Sequence, residues 1–131
     1  MKKLFLAIVA MLFLIGCGGG GGGAENVAKS FIEAAYKGDT KTAVSLIYLS
    51  EKKMKDESVK PALEGKMGMM VSEAMKKAKN HGGLQKIEIT DKTIGEDIAE
   101  ISMSVVFKDG STQSEHAKLK KDHKGKWKIK L

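Results

Sequence analysis

One hundred and thirty-one residues allow one domain and not two. Hydrophobic residues make up 42% and charged residues 30%, which excludes both a disordered acidic tail and a bundle of membrane spans. A single cysteine excludes an internal disulfide and every Cys-pair metal motif. The formal charge is +7, yet all 23 basic residues are lysines; without arginine's planar fork, nucleic acid is not the expected partner.

The chain opens on Met1-Lys2-Lys3 and then runs apolar from Leu4 to Ile15. At ~1.5 Å per residue this run is too short to cross a ~30 Å hydrocarbon core, and it fits the core of a secretory signal. It ends in Leu14-Ile15-Gly16-Cys17, which resembles the bacterial lipobox and holds the only cysteine. The resemblance implies that residues 1–16 are a lipoprotein signal peptide, cut before Cys17. The Cys17 sulfur would then carry a diacylglycerol with palmitate-type chains, a membrane anchor without a spanning helix. Gly18, rather than Asp, follows the cysteine. In an enteric-type Gram-negative host that implies the outer membrane, and in any bacterium the cell envelope. Gly18 to Gly23 extends the lipidated cysteine into a glycine tether, residues 17–23, whose glycines stretch to ~20 Å. A phosphate-cradling loop is excluded, because no strand precedes the glycines and no Gly-Lys-Ser/Thr follows.

Residues 24–131 are the predicted folded domain. Val27, Phe31, Ala34 and Ala35 recur at helical spacing until Gly38-Asp39 stops them. Thr40 is the expected N-cap of a second helix carrying Ala43, Val44, Ile47 and Tyr48. Glu51 to Lys60 reads as a charged loop. Pro61 is the expected first residue of a third helix with a stripe of Leu63, Met67, Met70, Val71, Ala74 and Ala78, ended by Asn80-His81-Gly82-Gly83.

The period then switches to two. Ile87 and Ile89 alternate with polar residues, as do Ala99, Ile101, Met103, Val105 and Phe107. Asp109-Gly110 signals a hairpin, Ala117 and Leu119 follow, and Asp122-His123-Lys124-Gly125 signals another turn. The last strand places Trp127, Ile129 and Leu131 on one face and lysines on the other. The predicted class is α+β: N-terminal helices packed on one side of an antiparallel four-stranded sheet.

Val27-Ala28-Lys29-Ser30-Phe31-Ile32-Glu33-Ala34 with Lys37-Gly38-Asp39 resembles the opening helix of nuclear transport factor 2-like (cystatin-like) domains. Lys118 to Lys121 and Gly125 to Ile129 resemble their terminal hairpin. The chain is most similar to an uncharacterised family of bacterial lipoproteins with that fold, sometimes labelled lumazine-binding-like. The resemblance implies a curved sheet wrapped on a long helix around a cone-shaped cavity. It implies no activity and no cofactor. Related domains often dimerise through the sheet, so a homodimer is a further implication.

The candidate cavity residues are Phe31, Tyr36, Tyr48, Met67, Met103, Gln113, Glu115 and Trp127. Gln113 and Glu115 share the inward phase of Ala117 and Leu119, near Tyr36 or Tyr48, where a carboxylate could act as a base. The alternative is a wet strand end. Met54, Met67, Met69, Met70, Met75 and Met103, with His81, His116 and His123, raise a soft-metal site; core filling is the favoured reading, with Met67, Met70 and Met103 in core phases, and no metal is expected. No Ser/His/Asp or Cys/His nucleophile can be argued from spacing. Residues 117–131 hold seven lysines and one acid. Lys118, Lys120, Lys126, Lys128 and Lys130 form a candidate basic face, either a solvated outer surface or a contact for anionic envelope surfaces.

These observations predict a non-enzymatic, membrane-anchored envelope lipoprotein that binds a small apolar ligand or an envelope protein through its cone. An isomerase- or dehydratase-like enzyme using the cone, and a lysine-faced module for anionic surfaces, are the alternatives.

Overall fold

Gly23 caps the first helix, accepting a bond from Val27 N at 3.0 Å. The computed structural model describes residues 23–131; the expectations for the signal peptide, the lipobox, Cys17 and the tether up to Gly22 lie outside the described residues. Helix α1 spans Ala24–Lys37 and buries Ala24, Val27, Ala28, Phe31, Ile32, Ala34 and Tyr36, whereas Ala35, which the spacing also predicts in the stripe, is only partly buried. It stops at Gly38, whose φ of 84° needs a residue without Cβ, and Asp39 N then donates back to Ala34 O at 2.8 Å.

Helix α2, Thr40–Ser45, is capped by Asp39 and not by Thr40: Asp39 accepts from Thr42 N at 3.1 Å and from Thr42 Oγ1 at 2.6 Å. An aspartate placed one residue earlier outcompetes threonine because its carboxylate takes both donors. Ile47 and Tyr48 lie beyond the helix. Their backbone is extended and joins the sheet, with Tyr48 N donating to Ile129 O and Ile129 N to Leu46 O, both at 2.7 Å. The segment read as a loop contains a one-turn helix, α3 (Glu51–Met54), capped by Ser50, and the start of the long helix α4, Val59–Asn80. Pro61 is the third residue of α4, still in the first turn, where its missing N–H costs nothing. Met67, Val71 and Ala78 of α4 are buried, whereas Met70 is 46% exposed and so is not a core residue.

Strands β1 (Leu84–Ile94), β2 (Ile98–Phe107), β3 (Thr112–Lys121) and β4 (Trp127–Ile129) form an antiparallel meander in sequence order. Ala99, Ile101, Met103, Val105 and Phe107 of β2 are all buried, as their alternation predicts. Strand β1 departs from strict alternation. A register shift between Ile89 and Asp91 puts Lys92 opposite Ile101 and therefore on the core-facing side. Lys92 Nζ meets Glu25 Oε2 of α1 there at 2.8 Å. Strand β4 is short, and Leu131 lies beyond it and is 57% exposed rather than packed with Trp127 and Ile129. The helices cover one face of the sheet, and among the described residues the buried cluster runs from Ala24 to Ile129. Each large apolar member of this cluster adds roughly 1.5–3 kcal/mol. Among the described residues no helix is long and apolar enough to cross a membrane.

Candidate functional site

Strand β4 pairs with only Leu119 to Lys121 of β3, plus one bond from Lys130 N to Lys118 O at 2.8 Å. Among the described residues, the first half of β3, residues 112–117, therefore has no strand neighbour on that side. A cleft of about 400 Å³ opens beside it, walled by α1 and α4. Phe31, Ile32, Met67 and Val71 supply apolar walls, and Tyr36 and Glu115 are the hydrogen-bonded pair of its lining.

Gln113 and Glu115 do point inward, and both are bonded to helices. Tyr36, in the last turn of α1, donates its hydroxyl to Glu115 Oε2 at 2.6 Å. Lys77 of α4 donates Nζ to Gln113 Oε1. The Tyr36 ring meets Phe107 edge-on, centroids 5.6 Å apart. Burial, followed by the hydrogen bond to Glu115 and that carboxylate's charge, pushes the Tyr36 phenol well above the ordinary tyrosine range. The phenol is thus a fixed donor.

The remaining cavity candidates separate. Phe31, Met67 and Met103 are packed in the core. Trp127 is buried at the other end of the sheet, with Lys121 Nζ 5.1 Å from its ring centroid. Tyr48 is not near Glu115; it lies at the β4 edge beneath Lys120 Nζ, 5.2 Å from its ring centroid. The lysines form cross-strand pairs: Lys120 stands opposite Lys128, and Lys118 beside Lys130. Lys128 Nζ is tied to Ser45 O at 2.8 Å, and Lys126 lies opposite Asp122, which accepts its N–H at 2.9 Å. The three histidines lie apart, with His116 on the outer face beside Glu100 and Ser102 and His123 in the β3–β4 turn.

One constellation escaped the sequence reading. Ser111, His81 and Asp109 meet where α4 ends against the β2–β3 hairpin. His81 Nδ1 is 2.8 Å from Asp109 Oδ2 and 3.0 Å from Ser111 Oγ. A nucleophilic triad needs the serine on one ring nitrogen and the carboxylate on the other. Here both address Nδ1, and the Ser111 hydroxyl also donates to Asp109 Oδ1. The Ser111 hydroxyl and N–H, with His81, hold the Asp109 carboxyl down to about 2. The trio fastens the hairpin to α4, and the His81 ring stacks on Phe107. Its only sequence signal was the Asp-Gly-Ser turn following a helix-ending histidine.

No curated protein matches the chain. A crystal structure from Campylobacter jejuni, provisionally named an NTF2-like (nuclear transport factor 2-like) transpeptidase, superposes with a TM-score of 0.74 at 36% sequence identity, covering 82% of this chain and 96% of its own. The solution structure of a SEC-C motif containing protein from Rhodopseudomonas palustris is 14% identical with a TM-score of 0.47, over 82% of this chain and 74% of its own, a likeness too loose to argue from. The family described as Domain of unknown function (DUF4878) matches residues 15–130. The chain therefore belongs to the DUF4878 family and has the NTF2-like fold.

Proposed function

We propose that this chain is a bacterial envelope lipoprotein, anchored through Cys17, whose NTF2-like domain binds a small apolar ligand at the β3 cleft without catalysing a reaction. The supporting observation is that Tyr36 and Glu115 of the cleft lining bond each other beside the apolar walls of Phe31, Ile32, Met67 and Val71. About 400 Å³ suits a small molecule. In this reading Ile101, Met103 and Phe107 fill the depth of the cone, and only its mouth receives ligand.

The Campylobacter relative's name raises acyl transfer. That chemistry needs a nucleophile activated by a base. A phenol held protonated and a serine sharing one imidazole nitrogen with its carboxylate both speak for binding instead. Residues 23–131 should bind Nile red saturably, and Ala74→Trp, which fills the half-buried cleft wall, should abolish it. Unchanged dye binding in that variant overturns the cleft as the site. Labelling of cells with radioactive palmitate should mark the wild-type chain and leave Cys17→Ala unmarked.

The paired lysines of β3 and β4 favour a second reading, contact with an anionic envelope surface at ~1 kcal/mol per lysine. Residues 23–131 should then bind anionic vesicles at low salt and release at high salt, and equal binding to neutral vesicles opposes it.

A further inference from the structure

A second cleft, of about 360 Å³, lies where the start of α4 and the segment after α2 meet the β3–β4 turn. It shares no residue with the Tyr36–Glu115 cleft. Its floor is apolar: Val44, Ile47, Leu49 and Leu63. Its rim carries Lys53, Lys60, Lys124, Lys126 and Lys128 against two acids, Asp56 and Asp122.

Both acids are already committed to the backbone. Asp56 Oδ1 accepts from Ser58 N at 2.9 Å and from Ser58 Oγ at 2.7 Å. Asp122 Oδ1 accepts from the N–H groups of Lys124 and Lys126, each at 2.9 Å. Burial opposes the Asp122 charge, yet these donors hold its carboxyl below the usual range. Among the described residues neither acid forms an ion pair with a rim lysine, although the charge of Lys128 also helps to lower the Asp122 carboxyl, and five lysines outnumber the two acids. Among the described residues, Lys53, Lys60, Lys124 and Lys126 form no ion pair. Excess positive charge around an apolar floor is complementary to an anionic head joined to an apolar chain. A solvated lysine surface explains the rim but not the concave apolar floor beneath it.

From this arrangement we propose that the cleft is a binding site for a single-chain anionic amphiphile, with the chain on Ile47, Leu49 and Leu63 and the head among Lys60, Lys124 and Lys126.

The test titrates residues 23–131 with decyl phosphate, decyl maltoside and inorganic phosphate, all below micelle-forming concentrations. Calorimetry reads affinity, and amide chemical shifts read the place. Decyl phosphate should bind saturably, with shifts gathered at Ile47, Leu49, Leu63 and Lys126. Inorganic phosphate and decyl maltoside should each bind at least about tenfold more weakly, since each lacks one half of the recognition. The exposed pair Lys124→Gln/Lys126→Gln keeps both turn N–H donors and should weaken decyl phosphate by about tenfold. Equal binding of decyl maltoside, full affinity in the double variant, no saturable binding of decyl phosphate, or shifts gathered around Tyr36 and Glu115 would each overturn the proposal. The last outcome would leave the β3 cleft as the site of ligand binding.

Discussion

The Tyr36 hydroxyl donates to Glu115 Oε2 across 2.6 Å, joining the last turn of α1 to the middle of β3. The bond explains how a carboxylate is accommodated on the inward phase that also buries Ala117 and Leu119. Tyr36→Phe should cost about 1.5–3 kcal/mol, the range for a hydrogen bond to a charged group, because it leaves Glu115 without this donor. Glu115→Gln keeps an acceptor and should cost less. Urea midpoints of the two variants decide the order.

Burial of the Tyr36 phenol, with that bond, sets an alkaline limit on stability. The folded phenol titrates above its unfolded value of about 10, so above that pH the unfolded chain loses a proton that the folded chain keeps. Stability is whole below pH about 10 and falls as pH rises beyond it. Lysines titrate in the same window, so the informative quantity is the difference between wild type and Tyr36→Phe. That difference should shrink from pH 9 to 11, and a constant difference would remove Tyr36 as the cause.

Asp109 supplies the opposite limit. Its carboxyl titrates near 2 in the folded chain, below the usual value of about 4, because Ser111 and then His81 donate to its charged form. Its stabilising contribution is present above pH about 4 and is lost as the pH falls toward 2. Asp109→Ala should therefore separate from wild type at neutral pH and converge with it near pH 2. Amide exchange in the Phe107–Ser111 turn should quicken in Asp109→Ala and in Ser111→Ala, as expected of a clamp.

Much of this architecture was legible because simple periods carried it. The alternation in β2 and the stripe of α1 identify Phe31, Met103 and Phe107 as core without any structure. The inward phase of Gln113 and Glu115 was legible for the same reason, and Tyr36 was one of two partners that spacing allowed. Spacing could not choose between Tyr36 and Tyr48, because Tyr48 leaves its helix for a backbone bridge to β4, a tertiary event with no local signal. Met70 shows a related limit. It occupies the helical phase of the core, but the sheet does not reach it, and it stays half in water. The basic amphipathic cleft was illegible, since Ile47, Leu63 and Lys126 meet only through the fold.

Gly38 couples two elements that sequence treats separately. It ends α1 at positive φ, and a Cβ there would come within 2.5 Å of Met75 Sδ on α4. Gly38→Ala should cost more than the roughly 1–2 kcal/mol of the backbone term alone. Met75→Ala removes the obstructing thioether, so Gly38→Ala should cost less in that background than in wild type. Equal costs in both backgrounds would mean that Met75 moves aside freely.

Lys92 is the charged residue that a regular β1 would have kept in water. The register shift at Ile89 and Asp91 turns it toward α1, where it meets Glu25 with both side chains about a quarter exposed. A pair at this depth lies between the weak surface case and the costly buried one. Lys92→Met should cost about 1–2 kcal/mol, mostly through the half-buried Glu25 left without its cation. If that account is right, Glu25→Gln in the Lys92→Met background restores much of the loss, because an uncharged amide needs no counter-ion. The folded β1 register should survive in both variants, since backbone pairing with β2 sets it. A double variant less stable than Lys92→Met alone would show that Glu25 contributes chiefly as the acidic residue of the first turn of α1.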